Sequence, residues 1–299
     1  MSRVLVTGAT GFIGAHALAP LIAAGHEVHA VSTGGAPRDA LPEVTWHTAD
    51  LLADPESVVA EVEPERLLHL AWYAEHGKFW TSPENVRWVE ASLALLRAFA
   101  AAGGERAVLA GTCAEYDWTA GDGVFAEDAP LRPATLYGAA KRGLHEVAQA
   151  LAAEAGFGLA WGRVFFLYGP GEDERRLVGA VASALARGQR AATGAGTQTR
   201  DFLHVADVGA AFAALVDSGV DGPVNVASGE GRTLRDVIET LGAIAGRPDL
   251  LDIGALPARP DDPDVLVADV TRLREAGFAP RIDLERGLEE AVAWWRDRT

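Results

Sequence analysis

The first half of the chain alternates short apolar runs with longer stretches in which apolar residues recur every three or four positions. A continuous apolar run of about four to eight residues is typical of a parallel strand covered by helices on both faces. Such runs predict strands at 4–6, 27–32, 44–47, 66–71 and 107–110. The helical spacing is clearest over 83–102. This alternation predicts an α/β fold with a doubly wound parallel sheet.

Beyond residue 165 the predicted elements become shorter. Helical spacing recurs over 177–186, 207–216, 233–245 and 284–295, and an apolar strand lies at 266–268. We therefore expect a first domain over 1–165 and a smaller α/β domain over 166–299. Some segments of the second half are expected to return to the first domain.

Composition limits what these elements can form. The chain has 299 residues and a formal net charge of −16, which argues against nucleic acid or an anionic membrane as its partner. No apolar run approaches the roughly 18 residues of a membrane span, and the first residues lack a secretory signal pattern. The single Cys113 fits a reducing compartment, and the eight histidines show no paired ligand spacing. We expect a soluble, cytoplasmic protein without a metal site.

A glycine-rich turn follows the first predicted strand and precedes the first predicted helix. Its sequence, at 7–14, is T-G-A-T-G-F-I-G. Glycines at such a turn let the backbone approach a pyrophosphate, which the amino end of the helix then binds. This order of elements predicts a Rossmann-type dinucleotide site. The expected cofactor contacts are Gly8, Thr10, Gly11, Phe12, Ile13 and Gly14.

The end of the second predicted strand bears on the choice of cofactor. An NAD site usually has Asp or Glu there, because a carboxylate binds the ribose 2′-hydroxyl and repels a 2′-phosphate. Ser32 and Thr33 stand at that position, and Arg38 follows a few residues later. We therefore expect these three residues to contact NADP, with NAD as the alternative. Further cofactor contacts are expected after the third and fourth strands, at Asp50, Leu51, Leu70 and Ala71.

The segment Y-G-A-A-K at 137–141 holds a phenol and an ammonium four residues apart, on one face of a helix. A positive charge near a phenol lowers its pKa and makes it a usable acid or base. Of 26 basic residues only Lys78 and Lys141 are lysine. Thr112 follows the fifth strand at the ligand-binding edge of such sheets, although a threonine there is also a common capping residue. Thr112, Tyr137 and Lys141 are therefore the candidate catalytic residues, and Tyr137 and Lys141 are also expected to contact the cofactor.

The segment 72–80 combines four aromatic residues with His76 and Lys78. Aromatic walls with two potential cations suit a pocket for a phosphorylated ligand, which makes His76 and Lys78 candidate substrate contacts. The alternative is a surface loop with buried tryptophans. His69, in the fourth strand, is interpreted as a hydrogen-bonded core histidine.

Together these motifs resemble the extended branch of the short-chain dehydrogenase/reductase family, which contains nucleotide-sugar epimerases, dehydratases and reductases. The resemblance rests on the glycine motif at 7–14, L-H-L-A at 68–71 and Y-G-A-A-K at 137–141. It continues with R-V-F-F-L-Y-G-P at 163–170 and R-P-D-D at 259–262. It therefore covers essentially the whole chain in order.

The resemblance implies roles for individual residues. Tyr137 would be the acid/base, Lys141 would bind the nicotinamide ribose and lower the pKa of the phenol, and Thr112 would polarise a substrate carbonyl. Arg200 and Arg259 match arginines that contact the substrate diphosphate. The implied partner is a nucleotide-diphosphate sugar.

Departures from the family pattern narrow the expected reaction. Sugar 4,6-dehydratases have Asp-Glu where Cys113 and Ala114 stand, so dehydration is not expected, and Phe166 replaces an Asn that touches the sugar diphosphate. The segment 72–90 is similar to 4-keto-6-deoxyhexose reductases of the CDP-abequose synthase type. We expect NAD(P)H-dependent reduction of a nucleotide-linked 4-keto-6-deoxyhexose at C4, with Tyr137 as general acid. The alternatives are a nucleotide-sugar 4-epimerase with tightly bound NAD and a non-catalytic dinucleotide sensor.

The predicted helices at 84–102 and 135–155 are alanine-rich and apolar on more than one face. Burial against the sheet would account for this composition. The resemblance implies instead that the two helices of each subunit form a four-helix bundle. We therefore expect a homodimer.

Overall fold

The computed structural model describes residues 1–257 and 262–299. Up to residue 164 the elements are β1 (Arg3–Thr7), α1 (Gly14–Ala23), β2 (Glu27–Ser32), β3 (Val44–Thr48), α2 (Ser57–Val62), β4 (Arg66–His69), α3 (Glu84–Ala101), β5 (Arg106–Thr112), β6 (Val124–Phe125), α4 (Leu136–Ala155) and β7 (Gly158–Val164). They continue with β8 (Phe166–Tyr168), α5 (Leu177–Ala186), β9 (Ala191–Thr193), β10 (Thr199–His204), α6 (Val205–Asp217), β11 (Gly222–Val226), β12 (Gly231–Thr233), α7 (Leu234–Ala245), β13 (Leu251–Ile253), β14 (Val265–Ala268), α8 (Thr271–Glu275) and α9 (Leu284–Arg296).

Seven strands form the main sheet in the order β11-β7-β5-β4-β1-β2-β3, and every pairing within it is parallel. The order runs outward from β1 in both directions, so the sheet is doubly wound and the predicted fold class is confirmed. Strand β11 belongs to the second half of the chain and pairs with β7. The division near residue 165 stays a prediction.

A smaller sheet takes four of its five strands from the second half of the chain and β6 from the first half. It follows the order β12-β10-β14-β6, and β8 adds to it by pairing with β10. Helices α5, α7 and α9 pack around a separate apolar core that includes Val178, Leu241 and Leu288. Because β8 follows directly after β7, the chain passes from the main sheet into the smaller one at Phe165.

Both faces of the main sheet are covered. In β1, Val4 and Val6 belong to one core cluster, and Leu5 belongs to the cluster on the opposite face. The first cluster includes residues of α1 and α6, and the second includes residues of α2, α3 and α4. Burial on both faces explains why these strands are continuous apolar runs rather than alternating ones.

Two strand ends differ from the sequence prediction. Strand β4 ends at His69, because Leu70 and Ala71 turn away where their backbone approaches Gly8. Strand β5 continues to Thr112, because Gly111 and Thr112 pair with Arg163 and Val164 of β7. Among the described helices, none has the length and apolarity needed to cross a membrane.

Candidate active site

The glycine loop, defined here as residues 7–14, joins β1 to α1 at the carboxyl edge of the main sheet. Gly8 adopts a φ of +69°, and a Cβ atom there would lie 2.6 Å from the backbone nitrogen of Ala71. A Cβ atom on Gly14 would overlap the carbonyl oxygen of Gly8. No side chain caps the amino end of α1. A bare helix terminus behind closely approaching backbone fits a dinucleotide pyrophosphate.

The candidate cofactor contacts Ser32, Thr33 and Arg38 follow β2. The Ser32 hydroxyl donates a hydrogen bond of 2.6 Å to the carbonyl of Gly35, and Thr33 and Arg38 are exposed. The last residue of β2 is Ser32, so the strand ends without a carboxylate, as the sequence indicates. Asp50 and Leu51 follow β3 at the same sheet edge.

Helix α4 brings Tyr137 to the sheet edge. The side chain of Thr135 caps the helix by accepting a hydrogen bond from the Gly138 nitrogen at 3.2 Å. The backbone nitrogen of Tyr137 donates to the carbonyl oxygen of Trp80 at 3.1 Å. The phenol ring packs edge-on against Phe79 and Trp80, with ring centroids 4.9 and 5.8 Å away. A loop between β4 and α3 thus supplies the aromatic wall beside Tyr137.

The electrostatic environment of Tyr137 differs from the sequence expectation. Burial raises the pKa of the phenol, and a side-chain hydrogen bond with Thr112 and the charge of Arg176 act in the opposite direction. The expectation that Lys141 lowers the pKa of this phenol is wrong for this structure, because burial dominates and Lys141 is bonded elsewhere.

Lys141 is a buried ammonium one turn along α4 from Tyr137. Its Nζ donates a hydrogen bond of 2.7 Å to the carbonyl oxygen of Ala110 and lies 3.7 Å from the ring centroid of Trp72. Burial lowers the pKa of Lys141 to about 7, and the negative charge of Glu115 opposes this change. Nearby His69 is buried too, with ring nitrogens 2.7 Å from Thr7 Oγ1 and 2.8 Å from Ser92 Oγ.

Thr112 occupies the last position of β5, and both interpretations of its role apply. Its hydroxyl caps a single helical turn by accepting a hydrogen bond from the Ala114 nitrogen at 3.2 Å. The backbone nitrogen of Thr112 donates to Glu115 Oε1 at 2.9 Å. A side-chain interaction with Thr112 lowers the pKa of the Tyr137 phenol, so the two hydroxyl groups lie close together. We call Thr112, Tyr137 and Lys141 the Tyr137 cluster.

Sequence reasoning missed Glu115 and the role of Arg163. Glu115 is fully buried, and Arg163 Nε donates to its Oε2 at 2.9 Å. The signal available in the sequence was the T-x-x-E spacing from Thr112 to Glu115, which is typical of a capping box. The structure has that capping box.

The segment 72–80 divides between core and surface. Lys78 is two-thirds exposed and pairs with Glu75 across 2.6 Å, so the structure favours a surface loop for this lysine. The charge of His76 helps to lower the pKa of the Asp173 carboxyl group. His76 therefore lies near Asp173. Three aromatic residues of the segment contact the two candidate catalytic side chains on α4: Phe79 and Trp80 pack against Tyr137, and Trp72 lies against Lys141.

Arg200 lies in β10 of the smaller sheet and is buried. It pairs with Asp262 across 2.6 Å and stacks over the ring of Phe166 at 5.4 Å. Its charge also acts on Cys113, whose pKa burial raises to about 12. Arg200 therefore lies near the segment that carries Thr112. Arg259, the second expected diphosphate contact, lies outside the described residues.

Within the part of the chain that the structure describes, there is no group of three or more His, Cys, Asp or Glu residues that could hold a metal ion. The charged side chains around the Tyr137 cluster instead form pairs, such as Glu115 with Arg163. The arrangement can bind a dinucleotide at the glycine loop and move a proton at Tyr137.

Comparison with known proteins agrees with this geometry. Residues 4–227 match the model of the NAD dependent epimerase/dehydratase family. A UDP-glucose 4-epimerase from Corynebacterium glutamicum is 30% identical over 98% of this chain and 95% of its own length. A dTDP-4-dehydro-6-deoxy-D-allose reductase from Streptomyces bikiniensis is 32% identical, over 44% of this chain and 42% of its own length.

A solved structure extends the likeness to cofactor complexes. MoeE5 in complex with UDP-glucuronic acid and NAD is 31% identical, covers 99% of this chain and 100% of its own, and superposes with a TM-score of 0.85. The resemblance to the extended short-chain dehydrogenase/reductases is thus confirmed, and the protein is an enzyme of that type. The chain belongs to the NAD dependent epimerase/dehydratase family.

Proposed function

We propose that this enzyme is a nucleotide-sugar 4-epimerase with tightly held NAD. The observation that carries the proposal is the Tyr137 cluster, in which Thr112 lies close to the phenol of Tyr137 and the buried Lys141 lies one helical turn away, at the same sheet edge as the glycine loop. A relative that matches along nearly its whole length is a UDP-glucose 4-epimerase. The epimerase, the alternative at the sequence level, is therefore preferred to the reductase.

The chemistry divides among the residues of the cluster. Tyr137 would exchange a proton with the oxygen at the sugar C4, and Thr112 and Arg176, which lower the pKa of the phenol against the effect of burial, favour the ionised form that accepts this proton. Thr112 donates a hydrogen bond to the same oxygen, which steadies the charge as the C–O bond becomes a carbonyl. NAD, when bound, supplies the reversible hydride acceptor. Tyr137 would give the same proton back to the C4 oxygen when the carbonyl is reduced on its opposite face, which yields the C4 epimer.

The glycine loop supports NAD binding. Gly8 and Gly14 let the loop backbone pack directly against Ala71 and against itself, because a Cβ atom at either position would overlap backbone atoms. MoeE5 binds NAD at 31% identity to this chain. The missing carboxylate at the end of β2 leaves NADP as the alternative cofactor, with Ser32, Thr33 and Arg38 beside its 2′-phosphate.

The substrate proposal is a nucleoside-diphosphate hexose, with UDP-glucose as the first candidate. Arg200 is buried beside the Thr112 segment, and a buried guanidinium suits a diphosphate because it donates two parallel hydrogen bonds. Arg176 adds a second positive charge near Tyr137. In a chain of net charge −16, such local arginines are needed to hold an anionic ligand.

We also propose that the protein is a cytoplasmic homodimer. Val86 of α3 and Val147 of α4 are about half exposed, and the two helices pack side by side. Pairing with a second copy would bury both valines in a four-helix bundle.

A reductase is the second candidate function. It is favoured by the partial likeness to the S. bikiniensis reductase and by the absence of acids at Cys113 and Ala114. Hydride would then pass from reduced cofactor to a 4-keto-6-deoxy sugar, and Tyr137 would donate its proton to the resulting oxygen.

One experiment separates the candidates. Purified protein is assayed for co-purifying nucleotide and for conversion of UDP-glucose to UDP-galactose without added cofactor. In parallel it is given NADPH or NADH with dTDP-4-keto-6-deoxyglucose, and consumption of the reduced cofactor is followed. Epimerisation without added reductant supports the first proposal, stoichiometric oxidation of NAD(P)H supports the second, and activity in neither assay contradicts both.

A further inference from the structure

The carboxylate of Glu115 lies fully buried beneath the Tyr137 cluster and makes three hydrogen bonds. Its Oε1 accepts from the Thr112 backbone nitrogen and from Trp161 Nε1, each at 2.9 Å. Its Oε2 accepts from Arg163 Nε, also at 2.9 Å. One oxygen of Glu115 therefore fixes the backbone that carries the Thr112 hydroxyl, and the other binds a buried cation.

Arg163 is held by neutral groups on its remaining side. Its guanidinium donates to Tyr116 Oη at 3.1 Å and to the carbonyl oxygen of Glu127 at 2.9 Å. Tyr116 in turn donates to Asn225 Oδ1 at 2.6 Å. The Glu115–Arg163 pair is thus anchored to β11 and to the segment after β6. Removal of either side chain would leave the other charge buried without its partner.

The second consequence of Glu115 is electrostatic. Lys141 is buried, and the acidic group whose charge acts on it is Glu115. Other titratable or charged groups lie on the elements around the cluster. They are Cys113 and Tyr116 beside Glu115, Arg163 on β7, Tyr137 and His145 on α4, His69 on β4, Glu127 after β6, Arg200 on β10 and Arg176 before α5.

We propose that Glu115 is a positioning residue for the reaction: it fixes the backbone that carries the Thr112 hydroxyl and holds a buried negative charge beside the Tyr137 cluster. This inference rests on the proposed roles of Thr112, Tyr137 and Lys141. A buried lysine without a facing carboxylate loses its proton more readily, because a low-dielectric site disfavours the charged form. The Glu115–Arg163 pair therefore acts on the cluster rather than on stability alone.

The test needs a variant that removes the charge and keeps the hydrogen bonds. E115Q alone would set its amide nitrogen against the Arg163 donor. The double variant E115Q/R163Q avoids this, because the amide oxygen introduced at position 115 can accept from Thr112 and Trp161. The amide nitrogen at that position then donates to the amide oxygen introduced at position 163. A second variant, E115L/R163M, replaces the pair with apolar side chains of similar length, a change that buried ion pairs often tolerate.

The lysine content of the chain allows a direct measurement. Since Lys78 and Lys141 are its only lysines, protein labelled with 13C-lysine gives two side-chain signals. In the wild type the Lys141 signal should titrate near its pKa of about 7, and Lys78, whose pKa Glu75 raises, should titrate far above it. In both double variants we expect the Lys141 midpoint to fall by about one pH unit or more, with Lys78 unchanged. An unchanged Lys141 midpoint would overturn the electrostatic role.

Activity provides the second readout. E115Q/R163Q removes a negative and a positive charge, but of the two only Glu115 is among the charges that raise the pKa of Lys141 and of Tyr137. Both groups should therefore lose their protons more easily, and the whole pH profile of kcat/KM in E115Q/R163Q should move to lower pH. A purely structural role would lower kcat and leave the profile in place. E115L/R163M should lose more turnover, because Thr112 also loses its acceptor. If the wild type shows no activity with any substrate, the proposed function fails, but the lysine titration still decides the electrostatic part.

Discussion

The glycine loop and the Tyr137 cluster both lie at the carboxyl edge of the main sheet, yet they are built differently. The loop is a contiguous segment, and what makes it specific is backbone: side chains are absent where Gly8 approaches Ala71 and where Gly14 approaches Gly8. The Tyr137 cluster takes its residues from β5 and α4, and what makes it specific is the environment of its polar atoms. One region depends on shape, and the other depends on charge and hydrogen bonding.

This difference separates the effects of damage. A change in the glycine loop should weaken cofactor retention and fold stability through a steric clash. Excess cofactor should then restore the turnover of such a variant. A change in the Tyr137 cluster should reduce turnover while the cofactor stays bound. Three substitutions test this separation, in order of decreasing expected effect.

The largest effect is expected from Tyr137→Phe. The phenyl ring keeps its contacts with Phe79 and Trp80, but the group that moves the proton is lost. A general acid/base contributes roughly 10²- to 10⁴-fold to rate, so kcat should fall by that factor while the bound nucleotide per subunit stays unchanged.

Tyr168→Phe is the matched control for Tyr137→Phe. Tyr168 is more deeply buried than Tyr137, and its hydroxyl lies 3.3 Å from the carbonyl oxygen of Leu284, at the start of α9. Its loss should cost about 1 kcal/mol of unfolding free energy and leave kcat intact. Wild-type turnover in Tyr137→Phe would show that another group moves the proton.

The next effect concerns the two lysines. Lys141→Met should reduce turnover by at least about 10-fold, and it should also stabilise the fold. Burial lowers the pKa of Lys141 to about 7, so the unfolded chain binds more protons between pH 7 and the ordinary lysine pKa. The cost of burying the charged lysine, which lowers the free energy of unfolding, is present in full below pH 7. It disappears as the pH rises toward the ordinary lysine pKa. Lys141→Met should therefore raise the unfolding free energy by about 1–4 kcal/mol at pH 6, and by less at pH 9.

Lys78→Met is the control for Lys141→Met, because Lys78 is exposed and bonded to Glu75. Such a surface substitution should change the unfolding free energy by no more than about 0.5 kcal/mol. Denaturant titrations of both variants at pH 6 and pH 9 measure the contrast. A pH-independent difference for Lys141→Met would mean that Lys141 stays protonated in the folded protein from pH 6 to pH 9, so that burial does not lower its pKa.

The same contrast explains what the sequence could predict. The glycine loop was predictable because its residues are adjacent and its geometry follows from the missing side chains. The Glu115–Arg163 pair was not, since its members are 48 positions apart and meet only when β5 pairs with β7. The direction of the Tyr137 pKa was wrong because helical spacing gives the distance to Lys141 but not the burial by Phe79 and Trp80. The rarity of lysine indicated Lys141 and Lys78 equally, and only burial separates them.

The smallest effect on chemistry is expected from Gly8→Ala, with Gly25→Ala as its control. Both glycines have a positive φ, +69° and +84°, so an alanine at either position suffers a similar backbone strain. They differ in space: a Cβ atom at Gly25 meets nothing within 4 Å, whereas one at Gly8 lies 2.6 Å from the Ala71 nitrogen. Backbone cannot move aside as a flexible side chain can, so Gly8→Ala should lose about 1–3 kcal/mol more than Gly25→Ala. It should also purify with less bound nucleotide, and added NAD should restore much of its turnover. If both variants melt together and keep their nucleotide, close backbone approach is not what shapes the glycine loop.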